Sequence, residues 1–174
     1  GKICGDIARD FERQGHTVRI AHGRDGIVPE KYRKYAVRIG SDLGVKIHGV
    51  YTRLTDRHGF GSIAATRKFL AWAEEFNPDL LWLHNIHGYY INIDLLFRWI
   101  KSRPGMQVKW TLHDCWTFTG HCSYFEMAGC DQWKTGCHHC PQLRAYPASL
   151  LLDGSAFNYA RKRQLFTGVK NMTL

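Results

Sequence analysis

Histidine, carboxylate and thiol side chains crowd into three short strings of this chain. "LHNIHG" holds His84, Asn85 and His87, "TLHDCW" holds His113 and Asp114, and "CSYFEMAGCDQWKTGCHHCP" holds Cys122, Cys130, Cys137 and Cys140. Imidazole titrates near neutrality and both donates and accepts hydrogen bonds, so two such clusters suit acid/base work or phosphate binding. The competing reading is that His84 and His113 are buried residues that only fix their loops. Cys115 directly follows His113 and Asp114. Members of a catalytic triad converge from separate elements, so Cys115 reads as a small packed residue, not a nucleophile.

The cysteines at 122, 130, 137 and 140 have the spacing C-x7-C-x6-C-x2-C. A C-x2-C pair lets two thiolates converge on one ion, as in half of a zinc knuckle. His121, His138 and His139 are reserve ligands. Three readings stay open: a structural zinc on Cys122, Cys130, Cys137 and Cys140, free thiols packed in a loop, or disulfides. A four-ligand zinc would close its coordination sphere and order the loop without activating water.

These clusters need elements to position them. Ile3, Ile7 and Phe11 recur every fourth residue and predict an opening helix with Gly15 as its C-cap. "HTVRIAHG" (16–23) alternates like a strand, "RDGIVPEKYRKY" reads as loop, and "AVRIG" and "KIHGVYTRL" read as short strands or extended links. Residues 62–76 predict a helix capped by Ser62 and ended by Asn77-Pro78. "DLLWLHN" (79–85) reads as a buried parallel strand, and Asn92 caps a helix to about Lys101. "QVKWTLHD" (107–114) predicts a strand, 155–168 a helix, and "NMTL" the start of one more strand. Strand and helix alternate with short connections, which implies an α/β domain with a parallel sheet. In such sheets ligands bind beyond the carboxyl ends of the strands, where both histidine strings fall.

Bulk properties agree with one globular domain over residues 1–174, with a Cys-rich loop at 115–147. Hydrophobic content of 44% and aromatic content of 13% argue against disorder. No apolar run approaches the roughly 20 residues of a membrane span. Twenty-four Lys and Arg against fifteen Asp and Glu leave a net charge of +9, which attracts anions: nucleic acid, nucleotide phosphates or an anionic membrane surface. The basic residues are scattered, without the dense run of a nucleic-acid arm. A start at Gly1 that already reads as helix, and an end as an apolar stretch begins, give the expectation of a fragment of a longer protein.

"HGFGSIAAT", "PDLLWLHNIHGYYINIDLLF", "VKWTLHDCWTFTGHC", "WKTGC" and "CPQ" followed by "YP" together resemble bacterial glycosyltransferases of family 4, in the branch serving capsule, exopolysaccharide and O-antigen synthesis. The resemblance covers essentially the whole chain. It implies the GT-B architecture, two Rossmann-like domains facing across a cleft, with this chain as the N-terminal, acceptor-side domain. It also implies that the first strand and the nucleotide-sugar domain, with its paired glutamates and donor-phosphate clamp, lie outside this sequence. The implied reaction is retaining sugar transfer from a nucleotide-sugar to a polyprenyl-diphosphate-linked or oligosaccharide acceptor, without a catalytic metal. By this resemblance His113 bonds the transferring sugar and positions the acceptor hydroxyl, and Asp114 orients His113 or contacts the acceptor. His84, Asn85 and His87 would line the acceptor side, where Gly88 lets the backbone pass close to the ligand. Gly1 and Lys2 would approach phosphate at a helix N-terminus. Arg57 and His58, in "DRHGFGS", would contact acceptor. The implied location is the bacterial cytoplasm, with peripheral contact at the inner face of the membrane and no nucleic-acid partner.

Two other classes remain to be weighed. One is a zinc-binding nucleic-acid module built on the cysteines and the basic charge. The other is a metallohydrolase with His84, His87, His113 and Asp114 as ligands.

Overall fold

The computed structural model describes residues 1–24 and 26–174. Asp25, within the string read as loop, lies outside the described residues. Helix α1 (Lys2–Arg13) leads to strand β1 (Ile20–His22), β2 (Ala36–Arg38), α2 (Asp42–Thr55) and α3 (Ile63–Phe76). Then follow β3 (Leu80–Leu83), α4 (Ile93–Lys101), β4 (Gln107–Trp110), α5 (Ser155–Phe166) and β5 (Met172–Thr173). All strand pairing is parallel, so the expected Rossmann-like α/β class holds. The described strands form two sheets where the sequence suggested one: β1 beside β2, and β3-β4-β5 with β4 central.

Local chemistry explains most boundaries. Gly15 adopts φ 89° after α1, with His16 N–H bonding Phe11 O at 3.1 Å and Gly15 N–H bonding Glu12 O at 2.9 Å. That bond pair is a Schellman stop, which favours glycine because a Cβ resists the left-handed turn. Asn92 caps α4 by accepting from Leu95 N–H at 3.0 Å, while its amide donates to Phe60 O at 2.6 Å. The α4 residues Ile93, Leu96, Phe97 and Ile100 then bury against Val108, Trp110 and Phe166, which fixes α4 and α5 on the larger sheet.

Four sequence expectations need correction. "KIHGVYTRL" is not extended but lies within α2, capped by Ser41 Oγ accepting from Gly44 N–H at 3.2 Å. Glycines 44 and 49 weaken the helical propensity of this stretch and hide its period. Ser62 precedes α3 but its side chain does not cap it; the hydroxyl is engaged elsewhere. The string 30–35 forms a 3-10 turn whose Tyr32 and Tyr35 pack under α1, where their hydroxyls donate to Asp6 and Glu12. The strand expected over 107–114 ends at Trp110, and 111–114 leave the sheet as loop.

Asp56 ties distant parts together at the end of α2. One carboxylate oxygen lies 2.5 Å from His121 Nδ1 and the other accepts from Gly154 N–H at 2.8 Å. Its carbonyl accepts from Asn158 Nδ2 at 2.5 Å. Both side chains of the Asp56–His121 pair are fully buried. Removing one partner of a buried charged contact leaves the other unsolvated, so Asp56→Ala is expected to cost about 3–5 kcal/mol. Urea unfolding should show this loss, with Asp56→Asn recovering part of it because an amide oxygen still accepts from Gly154.

Candidate functional site

Register places the chemistry. Leu83 pairs with Trp110 at the carboxyl ends of β3 and β4, and Thr111 N–H still bonds Leu83 O at 3.0 Å. The loops 84–88 and 111–116 therefore leave the sheet side by side, at the edge where parallel sheets bind ligands. His84 Nδ1 lies 3.0 Å from His113 Nε2, so one ring donates and the other accepts. His87 Nε2 lies 2.9 Å from Asp114 Oδ2, off the N–H direction of a straight hydrogen bond. Asp114 thus pairs with His87; the resemblance implied that it orients His113 or contacts the acceptor.

Burial and neighbours set the protonation. Burial and the facing His113 push the His84 imidazole below its ordinary range. Burial alone would raise the Asp114 carboxyl, but the His87 contact and the Trp116 N–H, 3.0 Å from Oδ1, outweigh it and hold Asp114 low. The site therefore offers a neutral, hydrogen-bonded imidazole beside a held carboxylate.

Other expected residues have different surroundings. His58 is buried, and neither ring nitrogen reaches a partner among the described residues. It sits behind the site, ringed by Tyr89 (ring centroids 4.7 Å), Trp116 (5.4 Å) and His87 (5.6 Å). The Arg57 guanidinium stacks 3.5 Å over the Phe157 ring of α5. Asn85 is exposed, and its carbonyl accepts from the Tyr90 hydroxyl at 2.9 Å. Gly88 gives way to Tyr90, whose ring would lie 3.1 Å from an added Cβ. Gly1 and Lys2 are exposed at an α1 N-terminus that carries no side-chain cap.

Several site residues escaped the sequence reading. Tyr89, at φ 62°, and Tyr146, from the Cys-rich loop, face each other at 6.3 Å between centroids. Burial holds both phenols protonated, Tyr146 pushed up to about 12. His48 fixes Tyr89 from behind. Its Nε2 accepts from Gly61 N–H at 3.1 Å, so Nδ1 carries the proton and donates to Ser62 Oγ at 2.9 Å. Ser62 in turn donates to Tyr89 O at 3.3 Å. Lys162 of α5 is buried with Nζ 2.5 Å from Trp116 O and 4.1 Å over its ring, and burial brings its ammonium down to about 7. The sequence signals for these were the "YY" and "YP" of the family-like strings and the "DRHGFGS" glycines. Gly61 is one of them: an added Cβ would lie 2.5 Å from the His48 ring.

The four loop cysteines border one cavity of about 10 Å³ together with His121, Phe125 and Trp133. All six cysteines of the chain are free thiols, which sets aside the disulfide reading. Cys140 hydrogen-bonds Cys122, which draws the Cys122 thiol down to about 6 and pushes Cys140 up. Among the described residues no three His, Cys, Asp or Glu side chains form a group that could hold a metal ion. As placed, Cys122, Cys130, Cys137 and Cys140 do not fit a zinc clamp, and His121 is committed to Asp56. A roomier hollow of about 370 Å³, lined by Glu74, Asn77 and Arg103, opens by the starts of β3 and β4, away from the histidines.

A parallel Rossmann-like sheet with its polar residues gathered beyond the strand ends defines an α/β domain with a candidate ligand site at that edge. The chain belongs to Glycosyltransferase Family 4, whose sequence model matches residues 1–159. A curated protein named "Putative colanic acid biosynthesis glycosyl transferase WcaC", from Escherichia coli (strain K12), is 35% identical over 118 residues. That match covers 66% of this chain and 28% of the relative, so the chain spans well under half of that protein. No solved structure matches the chain.

His48 gives the site a pH signature. Burial lowers it to about 4, against a model-peptide value of about 6.5 in the unfolded chain. Between those values the unfolded chain binds the extra proton, so stability is full above about pH 6.5 and declines as pH falls toward 4. The His48 share is on the order of 3 kcal/mol, and His58, also depressed by burial, acts in the same direction. Urea midpoints measured from about pH 7.5 down to 4.5 should fall, and His48→Gln should flatten that fall by up to one proton.

Proposed function

We propose that this chain is the acceptor-side domain of a retaining GT-B glycosyltransferase that builds a bacterial exopolysaccharide. It would transfer a sugar from a nucleotide-sugar to a polyprenyl-diphosphate-linked or oligosaccharide acceptor. The observation that carries the reading is the pairing of His84 with His113 and of His87 with Asp114 at adjacent parallel-strand ends. Membership of Glycosyltransferase Family 4 and the name of the curated relative support it.

In this reading the exposed His113 bonds the transferring sugar, and His84 sets its tautomer through their shared hydrogen bond. Asp114 and His87 line the acceptor side as a pair, with Tyr89 and Tyr146 offering phenol donors and flat faces suited to a sugar ring. Asn85 and Gly88 shape the rim, and the uncapped N–H groups at Gly1 and Lys2 suit a phosphate. The rest of the protein would supply the main nucleotide-sugar contacts and the first strand. Support for that strand comes from β1 and β3, each of which has a ladder partner on one side only. The proposed setting is the cytoplasm, at the inner face of the membrane.

The metallohydrolase reading has less support. Its four ligands fall into two hydrogen-bonded or charge-paired couples, and no metal-holding group is found among the described residues. The nucleic-acid module loses its clamp on the same ground.

The test uses the full-length protein with a panel of nucleotide-sugars and a polyprenyl-diphosphate-linked acceptor. His113→Ala is expected to lower kcat by about a hundredfold or more with an unchanged thermal midpoint. Asp114→Asn should raise KM for acceptor more than it lowers kcat. The anomeric configuration of the product, read by NMR, should match that of the donor. Undiminished turnover in His113→Ala would remove that residue from the mechanism.

A further inference from the structure

Two cations stand at the open side of the aromatic wall. Tyr146 is 51% exposed, with the Tyr89 ring 6.3 Å away and the His87 ring also 6.3 Å away between centroids. The Arg24 guanidinium, on the loop after β1, lies 5.8 Å from the Tyr89 ring centroid. His22 Nδ1 donates to Arg24 O at 3.0 Å and steadies that loop. Arg53, in the last turn of α2, is tied to the loop carrying Tyr146, because its carbonyl accepts from Leu150 N–H at 2.7 Å. Burial raises the Tyr89 phenol while Arg53 and Arg24 both pull against it. Burial and Tyr89 push the Tyr146 phenol up, Arg24 draws it down, and Asp114 adds to the rise. The wall therefore has cations toward one end and the Asp114 carboxylate toward the other. Nearby arginines are already engaged: Arg38 pairs with Asp42 at 2.7 Å, and Arg57 stacks over Phe157 at 3.5 Å. Arg24 and Arg53 are exposed and have no carboxylate partner among the described residues.

We propose that Arg24 and Arg53 form an anion subsite beside the Tyr89–Tyr146 wall, and that the sugar seated on the wall carries a carboxylate, as a uronic acid does. A guanidinium fork matches a planar carboxylate, with two parallel N–H donors to its two oxygens. The phenol rings offer flat apolar faces to the sugar ring and hydroxyls to its polar edge. Asp114, held ionised, repels a second carboxylate from the histidine end, so the charge layout fixes which way round an acidic sugar lies. Two cations that converge on one phenol from separate elements make a subsite, where a lone surface arginine is only solvated. That the acidic sugar is the acceptor rests on the glycosyltransferase reading; the anion subsite itself does not. The diphosphate of a lipid-linked acceptor carries charge of the same sign, and the experiment separates the two sources.

The experiment has a binding arm and a turnover arm, both on the full-length protein. In the first, ligand-observed NMR compares methyl glucuronide and methyl galacturonide with the corresponding neutral glycosides. The uronides should bind about tenfold more tightly, and high salt should shrink the difference. Arg24→Gln with Arg53→Gln should abolish it at an unchanged thermal midpoint, and Arg24→Lys with Arg53→Lys should restore part of it. In the second arm, two lipid-diphosphate acceptors differ only in ending with a uronic acid or its parent hexose. The native protein should favour the acidic one by about tenfold in kcat/KM, mostly through KM, and the Gln variant should lose that preference. Equal binding of uronide and neutral glycoside by the native protein overturns the inference, as does a Gln variant that keeps the preference. An equal loss on both acceptors would also overturn it, giving the arginines to the shared diphosphate. Uronide binding that depends on the two arginines, in a protein that transfers no sugar, would leave the subsite standing and fail the functional reading instead.

Discussion

One buried carboxylate holds the architecture of the site in register. Asp56 terminates α2 in the left-handed region at φ 55°, meets His121 from the Cys-rich loop and accepts from Gly154 at the start of α5. These three segments are far apart in sequence and share no sheet, so no ladder of backbone bonds could align them. A charged contact in a dry interior is strong only when its geometry is good and its remaining lone pairs are used, and here both oxygens and the carbonyl are engaged. Because Arg57, His58 and Gly59 follow directly, the position of Asp56 sets the back wall of the site.

That wall is dry and neutral by design of its neighbours. His48 is locked as one tautomer by accepting from Gly61 and donating to Ser62, and the chain of bonds ends on the Tyr89 carbonyl. Tyr89 has positive φ, a backbone state that a bulky residue holds only when the surroundings fix it. The His48 chain supplies that restraint. An imidazolium at position 48 would lose the bond from Gly61, which is why burial and hydrogen bonding agree on the neutral ring.

The sequence made the larger sheet and the strand-end histidines legible because their signals are strong and local. A short apolar run followed by "LHN" can only place its polar residues past the strand end, and Asn92 with Asp94 announces the next helix. The pairing within the site was not legible. Which histidine meets which partner depends on the register of β3 with β4, a long-range fact that no local pattern carries. His48 and Lys162 were hidden for a different reason: their buried positions come from tertiary packing around Trp116 and Gly61, with no motif of their own. The misreading of α2 has a third cause. Leu43, Ile47, Val50 and Leu54 do repeat with helical period, but glycines 44 and 49 and the polar residues on the inner face mask the usual pattern of apolar inside and polar outside.

The Cys-rich loop also reaches the site by packing and by charge. Its Tyr146 forms part of the aromatic wall, with His58, His87 and Tyr89 as ring neighbours. Behind that wall, Lys162 presses its ammonium against the Trp116 ring and carbonyl. Burial opposes the charge of Lys162, and the groups around it that favour the charge are Cys137 and Cys122 of the loop and Asp56 and Asp114 of the site. A Cys122 thiolate, favoured by its bond from Cys140, therefore helps keep the Lys162 ammonium protonated. The ammonium in turn fixes Trp116, whose N–H holds Asp114. The loop thus shapes the site from two sides, by packing an aromatic residue over it and by setting the charge of the lysine beneath it.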